Sequence, residues 1–167
     1  MKPVEKTYEI LAWKHLNRSV NANWSTWAAE MMSAGFETEH LIELAGISKP
    51  YNQFELSDLT DKVFEELELD TTDRVTIISN YATYLVKQVI HNERELFPTL
   101  VLLKNLCIEL DYDEKLYDFY SLFFAKDDLN YAEVQWYWDG ANKVNIDQIC
   151  IDYFNDWLEQ NPQKDLA

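Results

Sequence analysis

The chain has 167 residues, 47% hydrophobic and 14% aromatic, and its 14 Lys and Arg stand against 30 Asp and Glu for a formal net charge of −16. That length fits one domain with a real core, and the apolar content excludes intrinsic disorder despite the charge. Three Gly and four Pro exclude a collagenous or low-complexity chain, and the acidity disfavours nucleic acid and anionic membrane, whose phosphates need Lys and Arg to displace their counterions.

The apolar pattern is helical almost everywhere. Residues 3–19 read as a first helix through Tyr8, Leu11, Ala12 and Leu16, with Trp13 beside them. Trp24, Trp27, Ala28, Met31 and Met32 then recur on one helical face. Asn23 is placed to cap the start of that helix, and Gly35 to take the left-handed position past its end. Thr38 is expected to cap a short helix carrying Leu41, Ile42, Leu44 and Ala45 and stopped by Gly46, after which Lys49-Pro50 makes an extended connection. Leu56, Leu59, Val63 and Leu67 line the next helix, with Phe64 adjacent. Asp58, Asp61, Glu65, Glu66 and Glu68 form its solvated side.

Asp70-Thr71-Thr72-Asp73 is a polar break with capping residues and offers a place near 69–73 where two subdomains could part. With no long Gly, Ser or Pro linker, the chain counts as a single acidic helical domain, 1–167. Val75, Ile78, Ala82, Leu85, Val86 and Val89 predict a helix to about His91. Pro98 belongs in the first turn of the following helix, which runs to about Leu110. Apolar on most sides, that helix is expected at the centre of the core. Its apolar run is too short and interrupted to cross a membrane, and the opening residues Met1 to Lys6 lack the apolar segment of a signal peptide, so a cytoplasmic protein is expected.

Asp113 opens a helix with Leu116, Phe119, Tyr120, Phe123 and Phe124 at helical spacing. The final helix, about 145–160, carries Ile146, Ile149, Cys150, Tyr153, Phe154, Trp157 and Leu158. Asn145 and Gln148 resemble a capping box, and Pro162 marks the exit. Residues 131–144 admit two readings. Val134, Trp136 and Trp138 alternate with Gln135, Tyr137 and Asp139 ahead of Asp139-Gly140, which is a hairpin pattern. Asn130 with Glu133, and a polar second arm at 141–144, favour a short helix with Gly140 past its end. Short connections pair sequential helices as antiparallel hairpins, so the expected fold is all-α, a bundle or array of about seven to eight helices.

The residues that carry chemistry form no reactive constellation. Glu37 and His40 have a ligand-pair spacing, but di-iron bundles need two such pairs plus further interior Glu, so an exposed cap region is expected. His91, Glu93 and Glu95 read as helix-end polarity. Cys107 and Cys150 lie in apolar patterns and read as buried small hydrophobes. His15, His40 and His91 are scattered, and no nucleophile elbow, P-loop or dinucleotide fingerprint is present. The carboxylate pairs Glu65-Glu66, Asp127-Asp128 and Asp111 with Asp113 fall at helix ends or on solvated faces. No catalytic residue, metal or cofactor is expected, and the chain reads as non-enzymatic.

Residues 105–167 hold four Lys against fourteen Asp and Glu, a net −10. Within them Tyr131, Trp136, Tyr137 and Trp138 crowd too many rings into one stretch for all to face inward, and Asp127, Asp128, Glu133 and Asp139 flank them. Such a surface suits a basic protein partner with apolar anchors, through hot-spot burial and cation–π contact. Small acidic helical immunity proteins, which inhibit basic toxin enzymes, embody the same physics as an analogy of charge and class. Two other functions compete: a small-ligand or enzymatic protein with an interhelical pocket, and a homo-oligomerisation scaffold.

Overall fold

The computed structural model describes residues 1–166, in which every regular element is helical. The α-helices are α1 (Thr7–His15), α2 (Ala22–Ser33), α3 (Glu39–Ala45), α4 (Gln53–Glu66), α5 (Arg74–Ile90), α6 (Leu96–Glu109), α7 (Tyr117–Tyr131) and α8 (Ile146–Gln160), with a single 3-10 turn, Glu114–Leu116, leading into α7. The fold is all-α, as the periodicity predicts. Helices adjacent in sequence pack together: α2 on α3, α3 on α4, α6 on α7 and α7 on α8. The chain sorts into two compact units, residues 1–84 with the segment from Gln163 onward, and Leu85–Pro162; the division falls inside α5.

The core of the first unit is built on aromatic residues from α2 and α4. Trp24 and Trp27 are fully buried, and their rings lie 6.3 and 6.1 Å from that of Phe64. The Trp27 indole N–H donates to the Thr7 hydroxyl at 2.9 Å, so its one polar atom is satisfied inside the core. Helix α1 is shorter than its pattern suggested. It stops at His15 because Asn17 takes the left-handed region (φ 55°), letting the Arg18 N–H close on the Trp13 carbonyl at 2.8 Å. The cap of α2 is Asn21 rather than Asn23. Its side chain accepts the N–H of Asn23, which lies inside the first turn as one of the donors needing a cap. Gly35 does take the left-handed position (φ 99°), with the Gly35 and Phe36 N–H groups bonded to the Met32 and Met31 carbonyls. Thr38 occupies the cap position of α3 without a capping bond; Glu66 at the end of α4 instead accepts the His40 N–H at 3.1 Å. Gly46 ends α3, and the Lys49–Pro50 peptide that follows is cis.

In the second unit Phe119 of α7 is the central ring, 5.7 Å from Phe154 and 4.8 Å from Trp157 of α8. Leu100, Leu103, Leu106 and Cys107 of α6 complete the interior with Leu122, Ala125 and Cys150. Pro98 sits in the first turn of α6 as expected. That helix is not enclosed, however: Leu102 and Ile108 are exposed, as are Pro98, Asn105 and Glu109, while Leu100, Leu103, Leu106 and Cys107 are buried. Both cysteines are free and buried. Burial pushes the Cys150 thiol up to about 12, and burial followed by the Asp113 carboxylate raises Cys107, so both remain neutral thiols.

Residues 132–145 are neither the short helix nor the hairpin. Helix α7 runs on through Asn130 and Tyr131, which removes Asn130 as a cap, and the chain then turns extended at Ala132. Gly140 has a positive φ of 82°, within a turn rather than past a helix end. The capping box is likewise absent. The Asn145 side chain accepts from the Asn142 N–H and donates to the Gly140 carbonyl, and Gln148 donates to Asp152.

Candidate protein-docking surface

The loop after α7 is organised from within by one side chain. Gln135 is 9% exposed, and both ends of its amide are used. Its Oε1 accepts the N–H groups of Tyr137 and Trp138, each at 2.8 Å. Its Nε2 donates to the carbonyls of Trp138 and Ala141. A buried amide satisfied in this way substitutes for the ladder bonds that an irregular segment lacks.

The loop sorts its aromatic residues into anchors and presented groups. Trp138 is half-buried and meets Tyr153 of α8 edge-on at 5.6 Å, while Tyr137 stacks on Phe124 of α7 at 5.2 Å. Trp136, which precedes both, is 89% exposed, and Tyr131 at the end of α7 is 86% exposed. Val134 and Val144 also face solvent. Among the acidic residues Glu133 and Asp139 are exposed, and Glu133 pairs with Lys143 at 2.7 Å. Asp127 and Asp128 lie half-buried on the last turns of α7 and share the surface with the rings only through that helix. Lys126, beside them, pairs with Asp147 of α8.

A larger aromatic surface continues from this loop. From Phe124 the rings run to Tyr120 (4.7 Å), and from Tyr120 to Tyr117 (5.2 Å) and Tyr112 (5.7 Å). In the other direction Phe124 meets Phe123 (5.0 Å), which stacks on Phe97 (5.5 Å) beneath the Lys104 ammonium, 4.5 Å from the Phe123 ring. Tyr112 and Tyr117 are exposed, and Tyr120 and Phe124 half-buried. Burial and the surrounding phenols of Tyr112, Tyr117 and Tyr137 raise the Tyr120 phenol, which stays neutral. Tyr117, Tyr120, Phe124 and Tyr131 fall on one outward face of α7, while Phe119, Leu122 and Leu129 fill the inward one. The helical spacing of these tyrosines was visible in the sequence. Because α7 carries large apolar residues on every side among its charged ones, spacing alone does not say which rings turn outward.

No three His, Cys, Asp or Glu side chains converge as a metal site would need among the described residues, and no helix there is long and apolar enough to cross a membrane. His40 engages Glu66 of α4, not Glu37. Compared with known proteins, the chain matches no family model, no curated protein and no solved structure.

Proposed function

We propose that the chain is a non-enzymatic protein-binding module that docks a basic protein on the acidic, aromatic surface formed by α7 and the loop 132–145. The observation that carries this reading is Trp136, a large ring almost wholly in water on a loop whose backbone is locked by the buried Gln135 amide. Holding an apolar side chain in solvent is unfavourable, and holding it rigidly lowers the ordering cost of binding. Tyr131, Tyr117 and Tyr112 extend the contact area, and tyrosine and tryptophan dominate interface hot spots. The acidic residues around them supply long-range attraction and cation–π partners for Arg or Lys.

The test compares tagged wild-type chain with Trp136→Ala in affinity capture from the lysate of the source cell, at low and at high salt. The expected result is a basic protein retained by the wild type, weakened by salt, and reduced at least about tenfold by Trp136→Ala, the size of a modest hot-spot loss. Equal retention by wild type, Trp136→Ala and Tyr131→Ala overturns the assignment. Concentration-dependent dimerisation of the purified chain, abolished by Trp136→Ala, would reassign the same rings to a homo-oligomer interface.

A further inference from the structure

Asn80 sits midway along α5 and is 4% exposed. A buried amide in the middle of a helix is poor for packing and for helix formation unless both of its ends are hydrogen-bonded. Its Oδ1 accepts the backbone N–H of Lys164 at 2.9 Å, and its Nδ2 donates to the carbonyl of the same residue at 3.2 Å. This is the double bond pattern by which one strand residue grips its opposite number, supplied here by a side chain. The Tyr8 hydroxyl of α1 donates to the same carbonyl at 3.4 Å, and Gln163 Nε2 donates to the Asn80 main-chain carbonyl at 3.5 Å. The Lys164 ammonium reaches the Thr76 hydroxyl at 3.2 Å, on the side where Asp73 caps α5. A cavity of about 220 Å³ remains beside the segment, walled by Leu11 and Ile77 and rimmed by Asp70 and Asp73.

These contacts read main chain and one cation. Asn80 and Tyr8 recognise a peptide N–H and C=O that any residue offers, and the hydroxyl and carboxylates select a lysine head. An apolar residue at position 80 would pack α5 as well without gripping a backbone. We infer that the groove between α1 and α5 is a binding site for a non-helical, lysine-bearing peptide segment, occupied here in cis by residues 163–166. A ligand tethered in this way competes at an effective concentration in the millimolar range, so a peptide in trans enters only where the cis segment is weakened. The site is independent of the aromatic surface on α7, and its test does not involve that surface.

The experiment titrates a fluorescein-labelled peptide with the sequence of residues 161–166, both ends blocked, into the full chain and into its Lys164→Pro variant. That substitution lies outside every helix and removes from the cis segment both the N–H that Asn80 accepts and the lysine head. The expected result is binding to Lys164→Pro at least about tenfold tighter than to the wild type. The same peptide N-methylated at the backbone nitrogen of its lysine should lose at least about tenfold in affinity, a ligand-side change that leaves the protein untouched. Adding Asn80→Leu to Lys164→Pro should abolish the gain. No saturable binding to Lys164→Pro, or equal binding of the N-methylated peptide, overturns the site.

Discussion

Glu68 holds its backbone in the left-handed region, φ 54°, while its side chain stands in solvent just past the end of α4. That conformation lets the Leu69 N–H bond the Phe64 carbonyl at 3.0 Å and close the helix. A residue with a Cβ is strained there by about 1 kcal/mol or more, whereas glycine is not. Glu68→Gly should therefore stabilise the chain by roughly 0.5 to 1 kcal/mol, a rise in Tm of a few degrees at this size. Glu68→Ala removes the same charge and keeps the strain, so it separates the two causes. A Tm for Glu68→Gly no higher than that of Glu68→Ala contradicts the backbone argument. Asn17, Asn92 and Asp111 close α1, α5 and α6 in the same left-handed way. These helix ends were harder to read from sequence than the end of α2. Gly35 and Gly46 announce themselves, whereas the ends of α1, α5 and α6 fall to Asn17, Asn92 and Asp111, residue types that tolerate the left-handed region but recur throughout the chain and so mark a stop far less sharply than Gly.

At the scale of the element, the loop 132–145 depends on Gln135 as a helix depends on its ladder. Gln135→Leu keeps the bulk and leaves the N–H groups of Tyr137 and Trp138 and the carbonyls of Trp138 and Ala141 without their partner. The expected outcome is a loosened loop on an intact helical scaffold, since α7 and α8 are held by Phe119, Phe154 and Trp157. Far-ultraviolet dichroism should be unchanged, amide exchange at Tyr137 and Trp138 should accelerate, and partner capture should fall toward that of Trp136→Ala. Unchanged protection of those two amides would show that the ring contacts with Phe124 and Tyr153 suffice. The final helix was legible because its apolar face is one clean stripe from Ile146 to Trp157. The aromatic loop was not, because its alternation of rings and polar groups mimics a strand while its order comes from one amide meeting four backbone groups. Crowding alone predicts that some of Tyr131, Trp136, Tyr137 and Trp138 are exposed, but not that Tyr131 and Trp136 are the two most exposed. The outward tyrosines of α7 could not be picked out either, since they share a helix whose inward face repeats large apolar residues at the same helical spacing.

For the whole molecule, a net charge of −16 means self-repulsion in the compact state, so added salt at neutral pH should raise Tm by screening it. Lowering the pH first relieves the same repulsion, then removes carboxylates that the fold uses. Glu66 is the clearest of these. Burial pushes its carboxyl up, but hydrogen bonding by its neighbours, His40 side chain and backbone among them, outweighs this and holds it below its ordinary 4.5. Asp70 and Asp73 are held below 3.8, chiefly by the Thr72 backbone N–H and by the Thr76 side chain. A carboxyl lowered on folding binds its proton more readily in the unfolded chain. Its stabilisation is therefore full above the ordinary value and is lost as pH falls through the lower folded value. Wild-type stability measured by urea unfolding should accordingly fall on the acid side of 4.5. Glu66→Gln should be less stable at neutral pH and lose less across that acid window, because its side chain no longer titrates. Parallel acid limbs for the two proteins would place the loss elsewhere and reduce the contact between α3 and α4 to one with no part in acid stability. A steeper limb in Glu66→Gln would reverse the sign of the argument altogether.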